Sequence, residues 1–337
     1  MEKFIVDKSG EIMTIQQIDE TMYRVAIPVP FPMKYVYCYV FKEPDGWSIV
    51  DTGLNNNEAA KAWEDVFFSL GIEEDRVNAI VITHFHPDHF GLSGWLQEKT
   101  GAPVYISNTD EQMVHRVWGE GSRQAEKVGE MCREHGAPPE LAKSIEHNMK
   151  RLSKFVHPLP KLTVLPENKI TLGGNVWEII ETPGHSDGLI CLYQREKHYL
   201  LAADHVLDKI TPNISLWPDC DKNPLQNYFE SLKKVQNLNV DITLTAHGNI
   251  VNHLAVRVEE IFVHHEKRLE QIEMLVNDGW TAYEVASYLF ENRKLTTHQW
   301  RFAIAEIVAH LEYLVFEKRV VKEVKENKYV YMQKKAS

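Results

Sequence analysis

Short apolar runs fill the first 250 residues of the chain, and β-branched and aromatic residues make up much of each run. Runs of this length and composition are typical of strands, whereas apolar positions three or four residues apart indicate helices. Gly173-Gly174 has the composition of a hairpin turn. The pattern predicts strands at 11–25, 34–42, 46–51, 80–82, 104–107, 162–164, 169–172, 176–180, 199–203 and 242–246.

Helices are predicted between these strands and in a longer block near the middle of the chain. A helix at 224–236 is expected to be capped by Asn223, with Pro224 at its first position, where a missing N–H does no harm. Residues 108–160 interrupt the strand pattern and are predicted to form two or three inserted helices. The other helices predicted in this part of the chain lie at 58–70 and from 91 onward.

The pattern changes from about residue 255, and two domains are predicted, residues 1–252 and 253–337. Apolar residues recur at helical spacing at 254–276 and 297–316, and Thr281 begins a capping box ahead of a short helix. Two short strands, 320–322 and 328–331, follow. Three helices and a hairpin resemble a winged helix, and the segment is interpreted as a winged-helix-like module for packing, for forming a homodimer or for binding RNA.

The strand that begins at Ile80 leads into the densest group of potential metal ligands in the chain. His84, His86, Asp88 and His89 fall within six residues, and Pro87 fixes the turn between the two pairs. Side chains two residues apart on an extended backbone point the same way. This spacing suits two metal ions close together better than it suits one.

Three more potential ligands follow other predicted strands. His185 comes after the strand at 176–180, Asp204 ends the strand at 199–203, and His247 follows the strand at 242–246. The carboxyl ends of strands commonly share one crevice, so these side chains are predicted to meet the first group. His115, His135, His147 and His157 lie in the helical insertion and are left out of the site, because lone helix histidines are usually ordinary surface or core residues.

The motif His84-Phe85-His86-Pro87-Asp88-His89, with Gly184-His185, Asp204 and His247 in order, resembles the metallo-β-lactamase-fold superfamily over roughly residues 10 to 250. The resemblance implies an αββα sandwich, two mixed sheets with helices outside, and a metal-dependent hydrolase. It also implies that Asp51, in Asp51-Thr52-Gly53, orients ligand histidines instead of binding metal. The insertion at 108–160 is then expected to cover the metal crevice, as long insertions often do.

The resemblance assigns His84, His86 and His185 to one divalent ion, Asp88, His89 and His247 to a second, and Asp204 to a bridge between them. A hydroxide between two cations is a nucleophile near neutral pH, and Asp88 is expected to take or return its proton. Zinc is the expected metal, and manganese or iron also suit the oxygen ligand at the bridge. The common zinc-dependent β-lactamases have cysteine where this chain has Asp204, which argues against antibiotic hydrolysis.

Composition narrows the choice of substrate. The chain has 337 residues, 44% hydrophobic and 25% charged, with four scattered cysteines, no secretory signal and no apolar run long enough for a membrane span, so a reduced cytoplasmic protein is expected. Its net charge of −11 lies in the first 250 residues, because residues 251–337 hold 13 basic and 13 acidic side chains. An acidic catalytic half disfavours a polyanionic substrate.

Three functions remain open at this point. The favoured hypothesis is hydrolysis of a small ester, thioester or lactone. The alternative is a ribonuclease acting on single-stranded RNA, which the winged-helix-like segment favours, because residues 317–335 hold seven basic and three acidic side chains. A non-catalytic module that retains the fold is the weakest hypothesis, since all seven ligands are present. The proline-rich loop at 27–33 is assigned equally to the rim of the site or to a surface crossing.

Overall fold

A computed structural model describes residues 15–334, together with the strand assignments of residues 5–6 and 12–13. Two β-sheets lie at its centre. In the first sheet seven strands follow chain order, and the pairing changes from antiparallel to parallel at its fourth strand. The strands are β3 (Ile15–Gln17), β4 (Met22–Pro28), β5 (Tyr35–Glu43), β6 (Gly46–Val50), β7 (Val77–Val81), β8 (Val104–Ile106) and β9 (Leu162–Val164), after a separate pair, β1 (Ile5–Val6) and β2 (Ile12–Met13).

The second sheet has five strands, and it too changes from antiparallel to parallel, at its last strand. The hairpin predicted at Gly173-Gly174 is confirmed, with φ values of 60° and 70° that glycine adopts without strain. The strand at 190–194 had not been singled out in the sequence. The five strands are β10 (Lys169–Leu172), β11 (Asn175–Glu181), β12 (Ile190–Gln194), β13 (Tyr199–Ala203) and β14 (Ile242–Thr245).

The inner faces of the two sheets share one apolar core. Phe41 of β5 meets Trp177 of β11 edge to face, with ring centroids 5.5 Å apart. Met22, Tyr39, Val50 and Val81 from the first sheet, and Leu172, Ile190, Leu192, Leu201 and Leu244 from the second, are buried in the same cluster. The β-branched and aromatic runs of the sequence are therefore strands whose inward residues fill a sandwich.

Helices cover the outer faces of the sandwich. Trp63 of the first helix is fully buried, and its Nε1 donates to the carbonyl oxygen of Thr52 at 2.7 Å. The predicted caps are confirmed: Asn223 accepts from the Gln226 N–H, and Thr281 forms a capping box with Glu284. The helices are α1 (Asn57–Leu70), α2 (Pro87–Phe90), α3 (Ser93–Thr100), α4 (Asn108–Trp118), α5 (Gln124–Glu134), α6 (Pro139–Leu152), α7 (Pro224–Gln236), α8 (Leu254–Leu275), α9 (Ala282–Leu289) and α10 (Thr297–Phe316).

Residues 253–334 form three helices, α8 to α10, and a hairpin of β15 (Val320–Lys325) and β16 (Lys328–Gln333), in the predicted order. The helix α10 packs against α6 of the insertion and against α7. The winged-helix likeness and the boundary at residue 252 stay predictions. Among the described residues, no helix combines the length and apolar character that crossing a membrane requires.

One predicted strand is wrong in its extent. The run at 11–25 is divided by a tight turn, because the Asp19 side chain accepts hydrogen bonds from the backbone N–H groups of Thr21 and Met22. Residues 11 and 14 of that run lie outside the described residues. The helical insertion is confirmed as three helices, α4 to α6.

Candidate metal centre

The histidine cluster begins just after β7 ends. Pro87 is the first residue of the one-turn helix α2, which turns His89 back toward His84. A proline at the first helical position has a suitable fixed φ, so the turn that the sequence predicted is helical. The ring centroids of His84 and His89 lie 4.0 Å apart, and those of His84 and His86 lie 4.8 Å apart.

Unusual backbone conformations present two of the other predicted ligands. Gly184 has a φ of 145°, and a Cβ at this position would lie 2.6 Å from the Cβ of Tyr228, so only glycine fits the turn before His185. Ala203 adopts a left-handed conformation with φ 47° at the end of β13, directly before Asp204. Such strained residues persist where the surrounding structure holds them, and they often mark functional sites.

The structure brings all seven predicted ligands together. Three groups have their donor atoms within 4.8 Å of one another: His84, His86 and His185; His84, His89 and Asp204; Asp88, His89 and His247. The first and third groups are the two sets that the sequence analysis assigned to separate ions.

Asp204 lies between those two sets. Its Oδ2 is 3.4 Å from His185 Nε2, while its Oδ1 is 3.5 Å from His89 Nε2 and 3.5 Å from His247 Nε2. Each carboxylate oxygen therefore faces a different group, which is the geometry that a bridging carboxylate requires.

Several ligand atoms in the centre of the cluster have no hydrogen-bond partner. His84 Nε2, His89 Nε2, His247 Nε2 and Asp204 Oδ1 are buried and unpartnered among the described residues. Buried polar atoms are normally hydrogen-bonded, so four unpartnered atoms within one ligand cluster are the pattern expected where metal ions bind. Imidazole nitrogens and carboxylate oxygens suit zinc, manganese or iron, and the residues present therefore fit two divalent cations.

In four of the five histidines of the cluster, His84, His89, His185 and His247, the second ring nitrogen contacts another group. Asp51 Oδ2 lies 2.8 Å from His89 Nδ1, and Asp51 also accepts from Thr83, whose hydroxyl lies 3.1 Å from His84 Nδ1. Backbone carbonyl oxygens face the other two, Asn213 O at 2.8 Å from His185 Nδ1 and Tyr35 O at 2.9 Å from His247 Nδ1. Contacts of this kind fix ring orientation and the tautomer of a metal ligand.

Burial and neighbouring charges divide the histidines into two classes. Burial lowers the pKa of His84 and of His86 well below the usual range, and neighbouring histidines lower both further. Burial would also lower the pKa of His89, but the carboxylates of Asp204 and Asp51 outweigh it and raise that pKa well above the usual range. The carboxylates thus favour positive charge near His89, one of the residues expected to hold the second ion.

Asp88 is ionised in this environment. Burial would raise its pKa, but the nearby imidazoles of His89 and His247 outweigh burial and lower the pKa to about 2. Its Oδ2 lies 3.4 Å from His247 Nε2. A carboxylate in this state can accept a proton.

Asp110 is a structural residue of the site that the sequence analysis missed. Its carboxylate accepts from the backbone N–H of Phe85 at 2.8 Å, the N–H of Gly188 at 3.0 Å and the hydroxyl of Ser186 at 3.1 Å. It therefore ties the loop of His86 to the loop of His185. Burial raises the pKa of Asp110 to about 7 despite these donors.

A cavity of about 340 Å³ opens onto the cluster, and most of its lining is apolar. The insertion contributes Met113, Trp118 and Met149, which confirms the expectation that this segment covers the crevice. Of the two roles open for the proline-rich loop, the rim is observed, because its residues 31–33 line the cavity. Other apolar lining residues are Leu54, Phe85, Val117, Val128, Leu152, Leu207, Ile210, Pro212, Trp217 and Phe302.

The C-terminal part of the chain also reaches this site, which the sequence analysis did not anticipate. The α10 residues His298, Arg301 and Phe302 line the cavity. One turn further along, half-buried Glu306 accepts from the Asn213 side chain at 2.7 Å, and the Asn213 carbonyl faces His185. The helix therefore forms part of the cavity wall and helps to position a predicted metal ligand.

The four histidines that were left out of the site lie elsewhere, and none belongs to a potential metal-binding group of the described residues. His135 is buried against Tyr331 and Tyr329 of the C-terminal hairpin. His115 pairs with Glu111 on the surface of α4. The four cysteines are free thiols, as predicted.

Comparisons with known proteins agree with this geometry. A family model described as the metallo-beta-lactamase superfamily matches residues 32–247, and one described as the metallo-beta-lactamase-like C-terminal domain matches residues 269–334. A metallo-beta-lactamase family protein from Thermus thermophilus has a solved structure that is similar with a TM-score of 0.85 and 32% identity, covering 94% of this chain and 100% of that chain.

Two curated relatives add detail. The probable metallo-hydrolase YqjP of Bacillus subtilis (strain 168) is 23% identical over 306 residues, which are 89% of this chain and 94% of the relative. An atrochrysone carboxyl ACP thioesterase of Aspergillus fumigatus is 21% identical over 221 residues, 65% of this chain and 54% of the relative. The matches cover both parts of the chain, and the protein belongs to the metallo-beta-lactamase superfamily as a metal-dependent hydrolase.

Proposed function

We propose that the protein hydrolyses a small ester, thioester or lactone with two divalent metal ions, zinc being the favoured metal. The observation that carries this proposal is the apolar cavity of about 340 Å³ that opens directly onto Asp88, His185 and Asp204. Small-molecule sites are concave and mostly apolar, with a few polar groups at the reacting end. An acyl chain fits such a lining, with its carbonyl group at the ligand cluster.

The scarcity of basic residues in the same cavity lining argues against RNA as the substrate. Among the described residues that line the cavity, Arg301 is the one Lys or Arg. A nuclease holds several phosphates with several basic side chains along their path. The thioesterase relative from Aspergillus fumigatus supports an acyl substrate, although it matches this chain at 21% identity.

Each residue of the cluster has a separate task in this proposal. His84, His86 and His185 would hold one ion, Asp88, His89 and His247 would hold the other, and Asp204 would contact both. When bound, the ions activate a water molecule and polarise the substrate carbonyl. Ionised Asp88 accepts a proton from the attacking water and returns it to the leaving group.

Surrounding residues keep this arrangement rigid and dry. Asp51 orients His89 directly and His84 through Thr83. Asp110 holds the two ligand loops at a fixed separation. Apolar side chains such as Trp118 and Phe85 exclude water around the reacting carbonyl, which strengthens electrostatic interactions there.

A parallel substrate panel tests the proposal. The metal-loaded protein would be assayed on short and medium-chain esters, thioesters and lactones, and on single-stranded RNA at moderate salt. Turnover of at least one acyl class is expected, and it should disappear in Asp88→Ala purified in the same way. RNA cleavage that depends on Asp88, without turnover of any acyl substrate, contradicts the proposal and supports a ribonuclease.

The number of bound ions is a second prediction. Seven ligand side chains exceed the three or four that one catalytic ion requires, so two ions per chain are expected. Elemental analysis after metal-replete expression measures this ratio. Asp204→Ala should lower occupancy and rate together, because one carboxylate faces both ligand groups. Full occupancy and rate in this variant would remove the bridging assignment.

A further inference from the structure

A buried guanidinium lines the cavity without a charged partner. Arg301 lies on α10 and lines the cavity, and the residue is 7% exposed. Its neighbours among residues 15–334 are neutral: the Met149 sulfur accepts from one terminal nitrogen, and the rings of Phe302 and Trp217 have centroids 4.3 and 5.3 Å from its Cζ. Its Nε is buried and has no hydrogen-bond partner among the same described residues.

Nearby ionisable groups do not supply the missing negative charge. Cys132 interacts with Arg301 electrostatically, but burial raises the pKa of this thiol to about 12, so it is neutral near pH 7. Burial, and then the charge of Arg301, lower the pKa of His298 to about 4, so this imidazole is neutral too. Burial lowers the pKa of Arg301 itself to about 10, and the guanidinium therefore remains charged.

A buried charge of this kind is costly unless an anion pairs with it. Stacking on aromatic rings offsets only part of the desolvation cost of a guanidinium. Arginine is almost never fully buried unless it is paired, and Arg301 lines a cavity that a substrate can enter. The missing anion therefore belongs to the ligand of that cavity.

We propose that Arg301 binds a carboxylate of the substrate, so that the hydrolysed compound is an acyl ester, thioester or lactone with an anionic end beyond an apolar spacer. This proposal rests on the proposed function, because it takes the reacting carbonyl to lie at the metal ligands of the same cavity. The planar fork of a guanidinium matches the two oxygens of a carboxylate.

The charge of the site favours a carboxylate over a phosphate. Arg301 contributes one positive charge, and the neighbouring His298 is neutral. A monoanion is balanced by this charge, whereas a phosphate dianion would keep an uncompensated charge among Trp217, Phe302 and Met149.

Three matched thioesters of equal chain length test the assignment, ending in a methyl group, a carboxylate or a phosphate. The wild type is expected to have its highest kcat/KM for the carboxylate. Arg301→Met should lower kcat/KM for that substrate about 10- to 100-fold, mainly through KM, and should lower kcat/KM for the methyl-ended substrate much less. Arg301→Lys keeps the positive charge but lacks the planar guanidinium. Its kcat/KM for the carboxylate-ended thioester should lie between the values of the wild type and Arg301→Met.

A binding measurement separates this proposal from the proposed function. Non-hydrolysable amides with a methyl or a carboxylate end would be titrated calorimetrically into metal-loaded wild type and Arg301→Met, after thermal melting shows that both are folded. Tighter binding of the carboxylate amide that depends on Arg301 supports the site even if no thioester is hydrolysed. Equal losses of affinity for both amides, or a higher kcat/KM for the phosphate-ended thioester than for the carboxylate-ended one, overturn the assignment.

Discussion

Replacing Asp88 with asparagine is expected to lower kcat about 10²- to 10⁴-fold, the usual contribution of a positioned general base. Asparagine keeps the size of the side chain and an oxygen that can face His247, but an amide cannot accept the proton of an attacking water. The loss should appear in kcat much more than in KM, because Asp88 acts on the reacting atoms and the cavity wall is unchanged. Steady-state kinetics at several pH values on the best acyl substrate measure it.

A matched control is available on the loop that follows Asp204. Asp208 carries the same charge, and it accepts from the Asn249 side chain at 2.8 Å outside the ligand cluster. Asp208→Asn therefore removes one negative charge near the site without touching a predicted ligand, and its kcat should stay within about twofold of the wild type. Metal analysis of both variants shows whether occupancy is retained. Equal kcat values for Asp88→Asn and the wild type would exclude Asp88 as the base.

Removal of metal ions by a chelator is expected to lower the melting temperature by roughly 10 °C, from a linkage free energy of about 4 kcal/mol at a thousandfold excess of metal over Kd. Without cations, Asp51, Asp88 and Asp204 would keep three carboxylates together in a buried cluster. Ligand atoms such as His84 Nε2 and His247 Nε2 would also remain unpartnered. Differential scanning calorimetry of metal-loaded, chelated and reloaded protein measures the shift.

Asp204→Ala is the control for this experiment. Because the variant lacks the carboxylate that faces both ligand groups, the chelator should change its melting temperature much less than that of the wild type. Adding metal back to the chelated wild type should restore its original melting temperature, which distinguishes metal loss from irreversible unfolding. A melting temperature that is the same with and without metal would mean that the cluster does not bind ions in the folded state.

Much of the ligand cluster could be predicted because each ligand lies next to a recognisable pattern in the sequence. His84, His86, Asp88 and His89 are adjacent in sequence, and the other three predicted ligands each follow an apolar run that ends at the same edge of the fold. Helix caps such as Asn223 were equally predictable, since a cap and its partner lie three residues apart. Short-range patterns therefore located both the elements and the seven side chains.

The residues that the sequence analysis missed act across long separations. Asp110 holds Ser186 from 76 positions away, and Glu306 holds Asn213 from 93 positions away. An aspartate or glutamate in a helix is usually solvated, and an arginine usually extends its charge to water. Arg301 therefore had no distinguishing pattern in the sequence, and only the packing of α10 against the insertion shows that it is buried.

The position of α10 limits how this enzyme can change over evolution or by engineering. Since one helix supplies cavity residues and also supports His185 through Asn213, replacing the C-terminal part would change both the cavity wall and the support of this histidine. Substitutions on its cavity face, at positions 298, 301 and 302, can alter substrate choice while all seven predicted ligands stay unchanged. Substrate choice can thus change through a helix that carries none of those ligands.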